Sequence, residues 1–156
     1  MTYADTSFMS GLIMPDAMSR QVMSKYFALG RPMLPYSPAH VLELPNALRA
    51  NHFSQALQLP EKLRFQAELN RLQAESRLAL FIKRGSFLEV HADWEAVTSR
   101  FAALSERYTP KLGCRTLDIL HVAFAIELHC KHFITCDVRQ SALAKAAGLK
   151  VTLVSV

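Results

Sequence analysis

Apolar and polar positions along the chain change period several times, from short runs of strand length to longer stretches with helical spacing. A short apolar start at Thr2–Ala4 precedes a Ser-Gly-Leu-Ile segment, and residues 16–29 then read as a helix closed by Gly30. Residues 33–36 are short, apolar and bounded by turn formers, which predicts a strand. Ser37-Pro38 opens the next helix, serine as cap and proline in the first turn, where its missing N–H costs nothing. The longest helical run is 61–83, in which Leu69, Leu72, Leu80 and Phe81 offer apolar contacts among Glu and Arg at helical spacing. A strand at 87–90 and an amphipathic helix at 94–108 follow. Thr116 is the expected cap of a helix at 117–130 that is apolar nearly all round and therefore buried. A strand at 133–136 ends at Asp137, a helix at 141–147 stops at Gly148, and 151–154 is the last strand. Strands separated by helices predict an α/β fold, a central parallel β-sheet flanked by helices on both faces.

Composition narrows the class. At 156 residues, 51% hydrophobic and 20% charged, the chain has the size and apolar content of one folded domain. Its apolar runs are far shorter than the roughly 20 residues a membrane-spanning helix needs. The N-terminus has no basic segment before an apolar run, so no secretory signal is expected and the cytoplasm is the expected location. Cys114, Cys130 and Cys136 are odd in number and form no C-x-x-C pair, so they read as reduced, packed thiols. A net charge of +5 and a pI near 9.3 favour a polyanionic partner without identifying it; a surface excess of basic residues explains them equally well.

The chain has five aspartates, and three lie where chemistry in such a fold is expected. Asp5 and Asp137 each directly follow an apolar strand, and in open α/β sheets the ligand crevice lies beyond the carboxyl ends of the strands. Asp118 stands in the first turn of a helix, and Glu43 within the apolar stretch Val41-Leu42-Glu43-Leu44, where a carboxylate needs a partner charge or a metal to stay ionised. Each has a plainer explanation. Asp118 can serve the helix dipole, Asp5 and Asp137 can be caps of following turns, and Glu43 can form a buried ion pair with an arginine.

Taken together the motifs are specific. Tyr3-Ala4-Asp5-Thr6-Ser7 resembles the opening strand and D-T-S signature of PIN domains. Leu42-Glu43-Leu44-Pro45-Asn46-Ala47-Leu48 is similar to their second acidic motif, and Asp118-Ile119-Leu120-His121-Val122-Ala123 to the third. Phe133-Ile134-Thr135-Cys136-Asp137 resembles their closing T-x-D segment. Four motifs in the family's order span nearly the whole chain and are weakest between Phe53 and Gly113. One departure is Pro45, two residues after Glu43, which removes the helical bond to the Val41 carbonyl and predicts a kink that would re-aim Glu43.

The resemblance implies a single PIN-like nuclease domain over 1–156. In it Asp5, Glu43, Asp118 and Asp137 gather round Mg²⁺ or Mn²⁺ and hydrolyse RNA, and the chain resembles the toxin half of a bacterial toxin-antitoxin pair. Its expected partners are an RNA substrate, a cognate antitoxin protein and a second copy of the chain. Hard divalent ions prefer such oxygen donors, and crowded carboxylates raise one another's pKa unless a cation neutralises them. Ser7 and Thr135 are candidates to hydrogen-bond a carboxylate or a metal-bound water, or else ordinary turn and strand-end hydroxyls. Arg139 and Lys145 are candidates to meet RNA phosphates, or else a solvated face. His121, one turn from Asp118, reads as a buried, hydrogen-bonded side chain in preference to a base. Two rivals remain. A phosphotransferase with an aspartate nucleophile would want a second acid two residues after Asp5, where Ser7 stands, and a non-catalytic RNA-binding module leaves the four acids without a purpose.

Overall fold

A computed structural model of the chain describes residues 1–14 and 18–155. Its elements run β1 (Thr2–Ala4), α1 (Thr6–Ile13), α2 (Ser19–Ala28), β2 (Leu34–Tyr36), α3 (Pro38–Gln58), a 3-10 turn (Glu61–Leu63), α4 (Arg64–Lys83), β3 (Phe87–Glu89), α5 (Trp94–Leu112), α6 (Thr116–Glu127), β4 (His132–Thr135), α7 (Val138–Ala146) and β5 (Lys150–Leu153). Every predicted strand is present within a residue or two. The Ser-Gly-Leu-Ile segment is the second half of α1. The expected helix at 16–29 is seen from Ser19 as α2, its first residues lying outside the described ones.

All strand pairs are parallel. β4 lies between β1 and β5, with Tyr3 opposite Phe133 and Phe133 opposite Val151. β2 and β3 form a second parallel pair, and β2 packs against β1. From β1 the chain crosses to β2, yet the hydrogen-bonded neighbour of β1 is β4, so the chain's path diverges at the carboxyl ends of β1 and β4. Strand alternation divides the core in two. Ala4 and Ile134 face a cluster built by α1, α2, α4 and the middle of α3, including Phe8, Leu12, Leu44 and Leu78. Tyr3 and Phe133 face the opposite cluster, built by α5, α6 and α7, including Val97, Phe124 and Leu143. Helices therefore cover both faces of the central parallel sheet. Each fully buried large side chain contributes roughly 1.5–3 kcal/mol.

Three local readings need correction. Arg115, not Thr116, is the cap of α6, because the Asp118 carboxylate reaches back to accept from the Arg115 N–H at 2.9 Å. The last helix starts at Val138 instead of Ser141, since Asp137 caps it through the N–H groups of Arg139 and Gln140. In α4 the buried stripe is Ala67, Ala74 and Leu78, while Leu69, Leu72 and Leu80 face outward. α3 runs continuously in helical conformation past Pro45 to Gln58. The buried α6 and the packed Cys114 and Cys130 agree with expectation. Among the described residues no helix is long and apolar enough to cross a membrane.

The α1–α2 contact depends on Gly11, where an added Cβ would lie 2.7 Å from Val22 Cγ2. Val22 is fully buried and stiff at χ1, so it has little freedom to move aside. Gly11→Ala is expected to lower stability by about 1–3 kcal/mol through overpacking, despite the roughly 1 kcal/mol by which alanine favours a helix interior. Urea denaturation measures this; a variant as stable as the parent would show that α1 and α2 separate freely.

Candidate acidic site at the sheet's carboxyl edge

Asp5 stands where β1 ends. Its backbone is extended (φ −80°, ψ 176°) and its side chain turns back to cap α1, accepting from the Phe8 N–H at 3.0 Å. The Ser7 hydroxyl donates to both carboxylate oxygens, at 2.7 and 2.9 Å, and Thr135 Oγ1 donates to Oδ2 at 2.6 Å. Thr135 is the last residue of β4, and its oxygen accepts from the Asp137 N–H at 2.8 Å. Ser7 Oγ in turn accepts from the Cys136 N–H at 2.9 Å. Two hydroxyls thus fasten the carboxyl ends of β1 and β4 together around one carboxylate that is 1% exposed.

Asp137 continues this corner as the cap of α7. Gln140, next along α7, reaches the Asp118 carbonyl at 3.5 Å, and Arg139 Nη1 reaches the Gly113 carbonyl at 3.4 Å, so the first turns of α6 and α7 adjoin. Arg139 and Lys145 are both exposed on α7.

Glu43 projects from the second turn of α3, and its Oε2 accepts from His121 Nε2 at 2.6 Å. Its partner is thus a histidine of α6, not an arginine. His121 is buried, and Thr6 Oγ1 lies 3.1 Å from the same nitrogen, which joins Glu43 to the residue following Asp5. On its other side His121 Nδ1 meets Tyr3 Oη at 2.9 Å, Tyr3 meets Ser37 Oγ at 2.8 Å, and Ser37 adjoins His40. The His40 tautomer follows from its neighbours. Nε2 donates to the Ala4 carbonyl at 2.8 Å, because a carbonyl only accepts, and Nδ1 accepts from the Ser37 N–H at 3.0 Å. Sequence reading named Ser37 only as a helix cap and gave Tyr3, Thr6 and His40 no role of their own. The available signal was a tyrosine in a buried strand and a histidine three residues after a helix-capping serine, polar groups that must find partners when buried.

Burial pushes the Asp5 carboxyl above its ordinary pKa, against the opposing pull of Thr135, His121, Phe8 and Ser7. At Glu43 burial acts in the same direction, but the hydrogen bond and charge of His121 with the Thr6 bond outweigh it and hold the carboxyl below its usual value. Burial, reinforced by the adjacent His121, drives His40 well below the ordinary histidine value and keeps it neutral. Among the described residues no three His, Cys, Asp or Glu side chains converge into a ready-made cation cage. The structure brings together Asp5, Ser7 and Thr135 with the backbone of Asp137, joins Glu43 to them through Thr6 and His121, and sets Asp118 beside the α7 corner.

A two-faced α/β sheet with carboxylates at its switch point is the architecture of a ligand-binding or catalytic crevice. The chain belongs to the PIN-domain family: the family model described as PIN domain matches residues 3–146. No curated protein and no solved structure matched the chain. PIN domains are generally nucleases that use divalent metal ions.

The raised Asp5 pKa has a consequence for stability. Between the ordinary aspartate value of 3.8 and its raised folded value, the folded chain holds a proton that the unfolded chain has released, so stability falls as pH rises through that window. Asp5→Asn keeps the cap and the shape without the buried charge. It is expected to raise the thermal midpoint of the metal-free protein at neutral pH, with the gain shrinking as pH falls toward 3.8. A lower midpoint at neutral pH would mean that the bonds from Ser7, Phe8 and Thr135 outweigh the desolvation.

Proposed function

We propose that the whole chain, 1–156, is one nuclease domain that hydrolyses RNA phosphodiester bonds with Mg²⁺ or Mn²⁺, and that it is the toxin of a toxin-antitoxin pair. The observation that carries this reading is Asp5, a buried carboxylate of a PIN-family chain at the switch point, with its pKa raised and no Lys or Arg paired with it among the described residues. Such a group is relieved by a cation. The donor set fits a hard one: Asp5, Glu43, Asp118 and Asp137 supply only carboxylate oxygens. Each has hydrogen-bond partners but retains acceptor positions, since a carboxylate offers about four. A bound divalent ion would supply an activated water and neutralise charge developing on the phosphodiester.

The chain's own residues do the rest. Ser7 and Thr135 fix the Asp5 carboxylate, and the helix N-termini fix Asp118 and Asp137. The exposed Arg139 and Lys145 of α7 lie on the helix that Asp137 caps, suited to phosphate contacts. A net charge of +5 agrees with a polyanionic substrate. The toxin assignment has separate support. α3 and α4 expose Phe53, Leu57, Phe65, Leu69, Leu72 and Leu80, an apolar surface that suits a homodimer contact and a groove for an antitoxin helix. As an intracellular toxin the protein would act in the cytoplasm.

Purified protein is expected to cleave single-stranded RNA in millimolar Mg²⁺ or Mn²⁺ and to lose that activity in EDTA. Asp118→Asn, on a partly exposed residue, keeps the fold and reduces cleavage by about 100-fold or more, at or beyond the upper end of what even outer-shell changes cost. Asp5→Asn behaves alike. Folded variants that cut RNA at the parent rate would defeat the mechanism, and RNA binding without cleavage would leave a binding module instead. For the toxin reading, light scattering at tens of micromolar should find a dimer; a monomer at that concentration counts against the proposed interface.

A further inference from the structure

Glu43 reaches the site on a long side chain from a helix that lacks one of its bonds. Pro45 has no N–H to offer the Val41 carbonyl, so the turn carrying Glu43 is less firmly held than the rest of α3. What fixes the carboxylate is a ring from a different element, with the Thr6 hydroxyl of α1 as a second donor. His121, 1% exposed on α6, donates through Nε2 to Glu43 Oε2 at 2.6 Å. Tyr3 Oη lies 2.9 Å from Nδ1, the Thr6 hydroxyl, which also donates to Glu43, lies 3.1 Å from Nε2, and Tyr3 and His40 pack against the ring with centroids 5.8 and 4.7 Å away. Behind Tyr3, Ser37 and His40 close the chain onto the Ala4 carbonyl, the residue before Asp5.

We infer that His121 is a positioning residue for the nuclease site: it anchors one oxygen of Glu43 to the strand that carries Asp5, leaving the remaining acceptor positions of that carboxylate for the cation. The assignment rests on the proposed metal-dependent function and adds to it the means by which the acid on α3 keeps register with the acid on β1. Hydrogen-bonded carboxylate ligands of this kind are oriented by their partners, and loss of such a partner typically costs 10–100-fold in metal affinity.

The test separates the two sides of the ring. His121→Gln places an amide N–H near the position of Nε2 and can still hold Glu43, whereas His121→Asn reaches only as far as Nδ1 and can hold Tyr3 but not Glu43. Mn²⁺ titration of RNA-free protein, followed by the electron paramagnetic resonance signal of free Mn²⁺, reads binding without reference to activity. Circular dichroism checks the fold. The expected result is a Kd raised about tenfold or more in His121→Asn and close to the parent value in His121→Gln. In a Glu43→Gln background His121→Asn should cost nothing further. Equal weakening in both variants would make His121 a purely structural residue, and parent-like affinity in both would remove it from the site; either overturns the assignment alone. A parent protein that binds no Mn²⁺ overturns the metal-dependent reading and this assignment with it. If His121→Asn does not fold, Tyr3→Phe, which deletes only the hydroxyl on Nδ1, takes its place: a weaker Mn²⁺ affinity supports the assignment and an unchanged one overturns it.

Discussion

The hydrogen bond from Thr135 to Asp5 is the constraint on which the site and much of the fold depend. It runs between the last residue of β4 and the first residue beyond β1, which are neighbours in the sheet but 130 positions apart in sequence. Because the same threonine oxygen accepts from the Asp137 N–H, and because Ser7 joins Asp5 to the Cys136 N–H, the two strands end together and the two following helices start from a shared corner. Asp5 ends a strand, caps a helix and anchors a partner strand with one side chain. Loss of either hydroxyl would leave a buried carboxylate short of donors, a change that costs more than the bond's net contribution to folding.

That corner is also where stability is given up. A carboxylate 1% exposed, with burial raising its pKa and three kinds of donor only partly offsetting the desolvation, is an unfavourable choice for folding alone. Glu43 shows the contrast. It is part-exposed, and His121 brings it below its ordinary value, so it is settled without help. The two acids differ because Asp5 is fully buried, whereas Glu43 is part-exposed and accepts directly from His121. A divalent cation would change Asp5 more than Glu43, the distribution expected when a site is arranged for a ligand at the expense of the empty fold.

The strands were legible in the sequence because each is a brief apolar run between turn formers, and the acids were legible because Asp5 and Asp137 directly follow two of them. Helix boundaries were less so. Thr116 is the cap that the sequence predicts, yet Asp118 bonds the backbone of Arg115, one residue earlier, and the helix expected from 141 starts at Val138 because Asp137 caps it. In α4 the leucines attracted notice while two alanines and Leu78 face the core, since the close approach of α3 favours small side chains there. The Tyr3–Ser37–His40–His121 network was hidden for a deeper reason. Its members come from β1, the cap of α3, the first turn of α3 and α6, and no local period brings them together; only strand alternation, which turns Tyr3 away from Ala4, and the crossing of α3 with α6 do so.

Capping and the proposed metal ligation, set against each other when the residues are read singly, are compatible here. Asp5 caps α1, Asp137 caps α7, and Asp118 lies in the first turn of α6, so three of the four acids occupy helix N-termini. Each N-terminus carries about half a positive charge and stabilises an adjacent carboxylate by roughly 0.3–1 kcal/mol. In the proposed site, three such termini would reduce repulsion among the acids before any cation arrives. The backbone N–H groups they offer are fixed in direction, so each acid is also held in one rotamer, with its remaining lone pairs outside the cap. Glu43, deep enough in α3 to lie beyond reach of the first-turn N–H groups, has no such terminus, and it is the acid that recruits a histidine.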